Sequence, residues 1–179
     1  MAPNDPLADT DESATRRPTA TGARSVVHAD FHLERVYDSP IAHVWQALTQ
    51  PEAKAKWFAG TPGSWQLLQR EMDVRAGGRE LLRGRWNTGI VTTFDAVYQD
   101  VVPSERLVYC YQMFLDDKKI SVSLATLQLE PAGPAGNGTR LKVAEQGAFL
   151  DGYDDAGSRE RGTAHLLDAL GASLRSFGS

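Results

Sequence analysis

Glu71-Met72-Asp73-Val74-Arg75-Ala76-Gly77-Gly78-Arg79-Glu80-Leu81-Leu82-Arg83-Gly84-Arg85-Trp86 is the stretch on which the fold turns. Ala76-Gly77-Gly78 is a tight-turn signal, because glycine reaches positive φ without a Cβ clash. The spacing therefore predicts a hairpin with one strand over 71–75 and its partner over 79–86. Along the second strand the side chains divide by parity. Arg79, Leu81, Arg83 and Arg85 share one face, and Glu80, Leu82, Gly84 and Trp86 share the other. Three arginines belong in water, so Glu80 is expected to point inward with Leu82 and Trp86.

Downstream, the same pattern of short turns repeats. Asn87-Thr88-Gly89 leads into a strand over 90–101, Val102-Pro103-Ser104-Glu105 into 106–113, and Asp116-Asp117 into 119–130. A Pro/Gly-rich loop over 131–138 precedes a last strand over 139–147. Such connections make an antiparallel meander. The chain ends in a helix expected over 158–176, where Leu167, Leu170, Leu174 and Phe177 recur at helical spacing beside Leu166 and Ala169.

Upstream, Val27, Ala29, Phe31 and Leu33 alternate with His28, Asp30 and His32, which predicts a half-buried first strand with the histidines on its wetter side. Asp38-Ser39-Pro40 is a helix start with Ser39 as the expected N-cap, and Ile41, Val44, Trp45 and Leu48 form the buried stripe. A second short helix is expected over 51–58, ending in the aromatic corner Trp57-Phe58. Residues 1–25 hold Pro3, Pro6 and Pro18, scattered charges and Leu7 as the only large aliphatic side chain. They read as a disordered tail, since they offer too little apolar surface to offset roughly 1 to 2 kcal/mol of backbone ordering per residue. Residues 26–179 read as one domain.

One strand, two short helices, a meander and a long helix must bury a sheet face and a helix stripe together, so the expected class is α+β, a curved antiparallel sheet wrapped around the C-terminal helix. Four motifs in this order carry a family resemblance: Arg35-Val36-Tyr37-Asp38-Ser39-Pro40 with Val44-Trp45, then Ala55-Lys56-Trp57-Phe58, Asp73-Val74-Arg75-Ala76-Gly77-Gly78-Arg79, and Val101-Val102-Pro103-Ser104-Glu105-Arg106-Leu107. Over residues 31–174 the chain resembles the START-like (SRPBCC) superfamily, in its bacterial branch named after the activator of the heat-shock-protein-ninety ATPase and also called polyketide-cyclase-like. The resemblance implies the helix-grip fold. It also implies an internal cavity between helix and sheet, which different members use to bind lipids, hormones or polyketides, and some to act on them.

The residues themselves suggest what such a cavity would present. Parity puts Phe94 and Tyr98 on the inner side of their strand, and Leu141, Val143 and Glu145 on one face of the last strand. Two inward carboxylates, Glu80 and Glu145, are the candidate catalytic residues, because a carboxyl in an apolar pocket titrates nearer working pH. The alternative is that both lie near sheet ends and reach water or pair with an arginine such as Arg161. Candidate ligand-binding residues are Leu82, Trp86, Phe94, Tyr98, Glu145, Phe149, His165 and Leu170. Tyr109 and Tyr111 are undecided, since both parities of their strand are apolar.

Composition bounds the rest. The 179 residues carry 19 basic and 23 acidic side chains, a formal net charge of -4, 41% hydrophobic residues and one cysteine. With no basic run longer than Arg16-Arg17 or Lys118-Lys119, no nucleic-acid partner is expected. Cys110 alone forms neither an intramolecular disulfide nor a thiolate cage, which reads as cytoplasmic. No apolar stretch approaches the roughly 20 residues of a membrane helix, so no membrane partner is expected.

No metal or cofactor is expected either. His28, His32, His43 and His165 lack ligand spacing, Asp151, Asp154 and Asp155 read as a solvated acidic loop, and Gly77-Gly78 precedes no phosphate-binding helix. Ser64, Ser104 and Ser123 lie in no nucleophile context. The leading function is binding of a small hydrophobic or aromatic molecule. The alternatives are a cyclase or hydrolase using a cavity carboxylate as general base, and a stress-related co-chaperone or interaction protein. An edge strand could support a homodimer.

Overall fold

In the computed structural model, residues 23–175 are described, and secondary structure starts where the alternation does. Strand β1 (Val26–Tyr37) buries Phe31 and Tyr37 and leaves His28 and His32 exposed. Helix α1 (Ile41–Thr49) buries Val44, Ala47 and Leu48. Ser39 does not cap it: Pro40 occupies the cap position without a side-chain bond, and the buried Ser39 carbonyl instead accepts from Thr139 Oγ1 at 2.7 Å. Helix α2 is shorter than expected, Pro51–Lys54, before the chain turns into Trp57, whose indole N–H donates to the Ala47 carbonyl at 2.9 Å.

The meander follows as β2 (Trp65–Met72), β3 (Arg79–Trp86), β4 (Val91–Val102), β5 (Arg106–Leu115), β6 (Lys118–Ala132) and β7 (Gly138–Leu150). The seven antiparallel strands lie in the order β1-β7-β6-β5-β4-β3-β2. The main correction concerns β2, which begins six residues and ends three residues earlier than the 71–75 expected, before the turn at Gly77 with its φ of 79°. Its sequence hides it. Leu67 and Leu68 are adjacent and exposed, and a bulge between Leu67 and Gln69 breaks the alternation. Strand β6 absorbs Pro131 and Ala132 from the expected loop, and β7 continues to Leu150.

Helix α3 (Ala156–Leu174) begins two residues earlier than expected, at an N-cap made by Asp155, whose carboxylate accepts from the Ser158 amide at 2.9 Å. It buries Leu167, Leu170 and Leu174, each contributing about 1.5–3 kcal/mol of burial. The Tyr37 hydroxyl donates to the Leu167 carbonyl at 2.9 Å and Arg35 Nε lies 2.8 Å from Asp168 Oδ1, so the C-terminal half of α3 is fastened to β1. The curved sheet grips this helix, as the α+β reading requires. The first 22 residues, most of the expected tail, and Ser176 and Phe177 of the expected helix end lie outside the described residues. Arg24 and Ser25, assigned to the tail, are held by Asp151, at 2.6 Å from Arg24 Nη1 and 2.9 Å from the Ser25 amide.

Candidate functional site: a cavity between two buried ion networks

The C-terminal half of α3 packs on the sheet, but its first half stands off it, leaving a cavity of about 600 Å³. The wall is mainly apolar and aromatic. Phe58 comes from the α2 corner, Leu82 and Trp86 from β3, Phe94 from β4, and Tyr109, Tyr111 and Met113 from β5. The uncertain parity of β5 is thereby resolved, with Leu107, Tyr109 and Tyr111 inside and Cys110 exposed outside. Exposed Asn87, Thr88 and His165 belong to the same wall, so the cavity opens between the β3–β4 turn and α3.

Trp65 is a wall residue that the sequence reading missed. Its indole occupies the space beside Gly84 and Gly60, where an added Cβ would come within 1.8 Å and 2.3 Å of the ring. Gly84 shares the parity of Glu80, Leu82 and Trp86, so its missing side chain is the space the indole fills.

Glu80 and Glu145 both point inward and neither reaches water: Glu145 lies within β7, and Glu80, one residue in from the start of β3, is buried all the same. Lys54 Nζ lies 2.6 Å from Glu80 Oε2, with side chains only 7% and 4% exposed, and the Tyr98 hydroxyl donates to the same oxygen. The lysine also sits 4.9 Å above the Phe58 ring. Burial, followed by the Glu80 charge, pushes the Tyr98 hydroxyl far above the usual phenol range, so it stays a donor.

The second network is centred on Arg159 of α3. Its Nη1 donates to Tyr111 Oη at 2.8 Å, and Tyr111 in turn donates to Glu145 Oε1 at 2.5 Å. Its Nη2 donates to Ser121 Oγ at 2.8 Å and to the Asp154 carboxylate, while Nη1 is 3.8 Å from Glu145. Burial raises the Glu145 carboxyl above its ordinary value, and the Tyr111 hydroxyl and Arg159 oppose that without cancelling it. Burial also works against the charge on Arg159, but Tyr111, Asp154 and Glu145 outweigh it and the cation is held more firmly than in water. The partner of Glu145 is therefore Arg159 and not Arg161, whose guanidinium reaches Ser158.

Of the residues singled out from sequence, Leu82, Trp86, Phe94, Glu145 and His165 line the cavity. Tyr98, Phe149 and Leu170 do not: they are 1%, 3% and 0% exposed and pack behind the wall. Glu80 also stands behind it, with Lys54 presented to the cavity in its place. Arg159 had a signal. Counting back from Leu174, Leu170 and Leu167 by helical steps reaches Thr163 and then Arg159, so it continues the buried stripe. Lys54 had none, since nothing in its spacing separates it from the exposed Lys56. Among the described residues no group of three or more His, Cys, Asp or Glu could hold a metal ion, and no helix is long and apolar enough to cross a membrane.

A curved antiparallel sheet that grips a C-terminal helix beside an apolar, polar-anchored cavity defines a START-like, helix-grip domain. The chain belongs to the family described as activator of Hsp90 ATPase homolog 1-like protein, which matches residues 38–175. It is similar to a solved uncharacterized protein from Rhizobium leguminosarum, with 42% identity, a TM-score of 0.79, and coverage of 86% of this chain and 99% of that one. A Rhizobium loti protein is 38% identical, with a TM-score of 0.75 over 83% of this chain and 99% of that one. An AHSA1-like protein from Aeromonas hydrophila shares the fold at 19% identity, with a TM-score of 0.61 over 84% of this chain and 94% of that one. No curated protein matches.

Proposed function

We propose that this protein binds a small hydrophobic or aromatic molecule in the cavity between the sheet and the first half of α3. The observation that carries the reading is the cavity itself. At about 600 Å³ it falls within the range of small-molecule sites, and its wall is mainly apolar, with aromatic rings set among aliphatic side chains. Its wall cations are already paired, Lys54 with Glu80 and Arg159 with Asp154 and Glu145, so the space they border is left to an uncharged occupant. Native mass spectrometry of the purified protein, followed by denaturing extraction, tests it. A retained apolar molecule of a few hundred daltons is the expected result. Protein that is empty and also fails to take up an uncharged naphthalene fluorophore would overturn the proposal.

A second reading is favoured by one observation. Glu145 lies on the wall with its proton affinity raised by burial and shares a short hydrogen bond with Tyr111, the arrangement of a general acid or base. On this reading the cavity is that of a cyclase or hydrolase. Glu145→Gln should then abolish turnover of the extracted molecule while leaving its binding intact, and undiminished turnover would remove Glu145 from any mechanism.

A further inference from the structure

Tyr109 lies centrally in the wall, between the two ion networks. The ladder of antiparallel pairs runs Tyr98–Tyr109–Ala125–Glu145 across β4, β5, β6 and β7, and Glu80–Ala96–Tyr111 in the neighbouring row. Glu80 and Glu145 are thus four strands apart, roughly 19 Å along the sheet at a strand spacing of about 4.8 Å, and Tyr109 stands two strands from each. The two tyrosines beside it have committed hydroxyls, Tyr98 to Glu80 and Tyr111 to Glu145. Among the described residues, no hydrogen-bond partner falls to the Tyr109 hydroxyl. Its ring is fixed by edge and tilted contacts with Phe94, Tyr98 and Tyr111 at centroid distances of 6.2, 5.9 and 6.0 Å. The residue keeps partial accessibility on a central strand because it faces the cavity.

Burial, then the charges of Tyr111, Glu145 and Glu80, hold its proton well above the usual phenol range, so it can serve as a donor throughout the ordinary pH range. The charges beside the cavity balance, with Lys54, Arg70 and Arg159 set against Glu80, Glu145 and Asp154. An anionic ligand would find the two cations of the wall, Lys54 and Arg159, already engaged by carboxylates.

Resting on the proposed binding role, we infer that Tyr109 is the specificity anchor of the cavity, donating to a neutral oxygen acceptor, a carbonyl above all, on an uncharged aromatic or hydrophobic ligand, and that the cavity discriminates against carboxylates of the same shape. The selectivity follows from geometry. A donor preset in an apolar cavity rewards a ligand that offers an acceptor, and a ligand that lacks one leaves the hydroxyl dry.

Fluorescence titration with three related probes tests this: a dimethylaminonaphthalene carrying a propionyl group (Prodan), the parent dimethylaminonaphthalene, and the corresponding dimethylamino-naphthoate. The wild type should bind the propionyl probe at least about 5-fold more tightly than the parent and about 10-fold more tightly than the naphthoate. Tyr109→Phe should lose about 5- to 10-fold for the propionyl probe and less than 2-fold for the parent, with thermal unfolding confirming an intact fold. Equal losses for both probes, or none, would overturn the role of Tyr109 while leaving the cavity a binding site. Tightest binding by the naphthoate would overturn the neutral-ligand assignment. Failure of all three probes to bind the wild type would overturn the binding role as well.

Discussion

Replacing Lys54 by methionine should destabilise the protein by about 3–5 kcal/mol, and replacing Lys54 and Glu80 together by methionine and glutamine should recover most of that loss. The ammonium and carboxylate are 2.6 Å apart, with their side chains 7% and 4% exposed. At an effective dielectric constant of about 20 their attraction is about 6 kcal/mol, comparable to the several kcal/mol it costs to take each ion out of water. The pair as a whole therefore contributes little net stability. Its single halves are what the fold cannot tolerate, because removing the ammonium leaves the Glu80 carboxylate dry with only the Tyr98 hydroxyl as donor. Methionine keeps the unbranched stem and so isolates the charge, apart from the loss of the cation over Phe58.

The assay is urea unfolding of the wild type, both single variants and the double variant as a cycle. In a parallel thermal unfolding measurement the Lys54→Met midpoint temperature should fall by about 6–20 °C for a domain of this size. A Lys54→Met loss below about 1 kcal/mol, or strictly additive single and double losses, would refute the reasoning, because either result would mean that Glu80 does not depend on this lysine.

Three further outcomes follow from the same structure. Because the folded Glu145 carboxyl titrates above its ordinary 4.5, its charge is disfavoured by folding; that penalty is complete above the folded value and disappears as pH falls toward 4.5. Wild type should thus gain stability relative to Glu145→Gln on acidification from neutral pH, and a pH-independent difference would contradict the burial of this group. Asp155 behaves oppositely, its value lowered mainly by the Ser158 amide, so its capping stabilisation is present above the ordinary 3.8 and lost as pH falls through the depressed folded value. Asp155→Ala should cost about 1 kcal/mol at neutral pH and less once the wild-type carboxyl is protonated, as read by unfolding at two pH values. Gly84→Ala places a Cβ inside the Trp65 ring and should expel the indole at a cost of about 1–3 kcal/mol, read as a red-shifted tryptophan emission. Unchanged emission would mean that Trp65 does not rest on Gly84.

The local pattern of the chain determined the meander, the C-terminal helix and the inward direction of Glu80 and Glu145. Strand parity and helical spacing are properties of neighbouring residues, and three arginines in alternation leave their strand one choice of face. It failed where a bulge broke the alternation, as in β2, and where a cap was displaced by proline, as at Ser39.

What only the tertiary structure decided is who meets whom. Lys54 reaches Glu80 across 26 residues, Arg159 reaches Tyr111 across 48, and Trp65 finds its place because Gly60 and Gly84 leave room for it. The same rule separates Tyr98, Phe149 and Leu170, which share the correct face but pack solidly, from Tyr109, which faces empty space. Facing inward is set by periodicity along one strand. Whether the inside at that point is filled or open depends on the curvature of seven strands and on where α3 leaves the sheet, and those are sums over contacts that no single stretch of sequence contains.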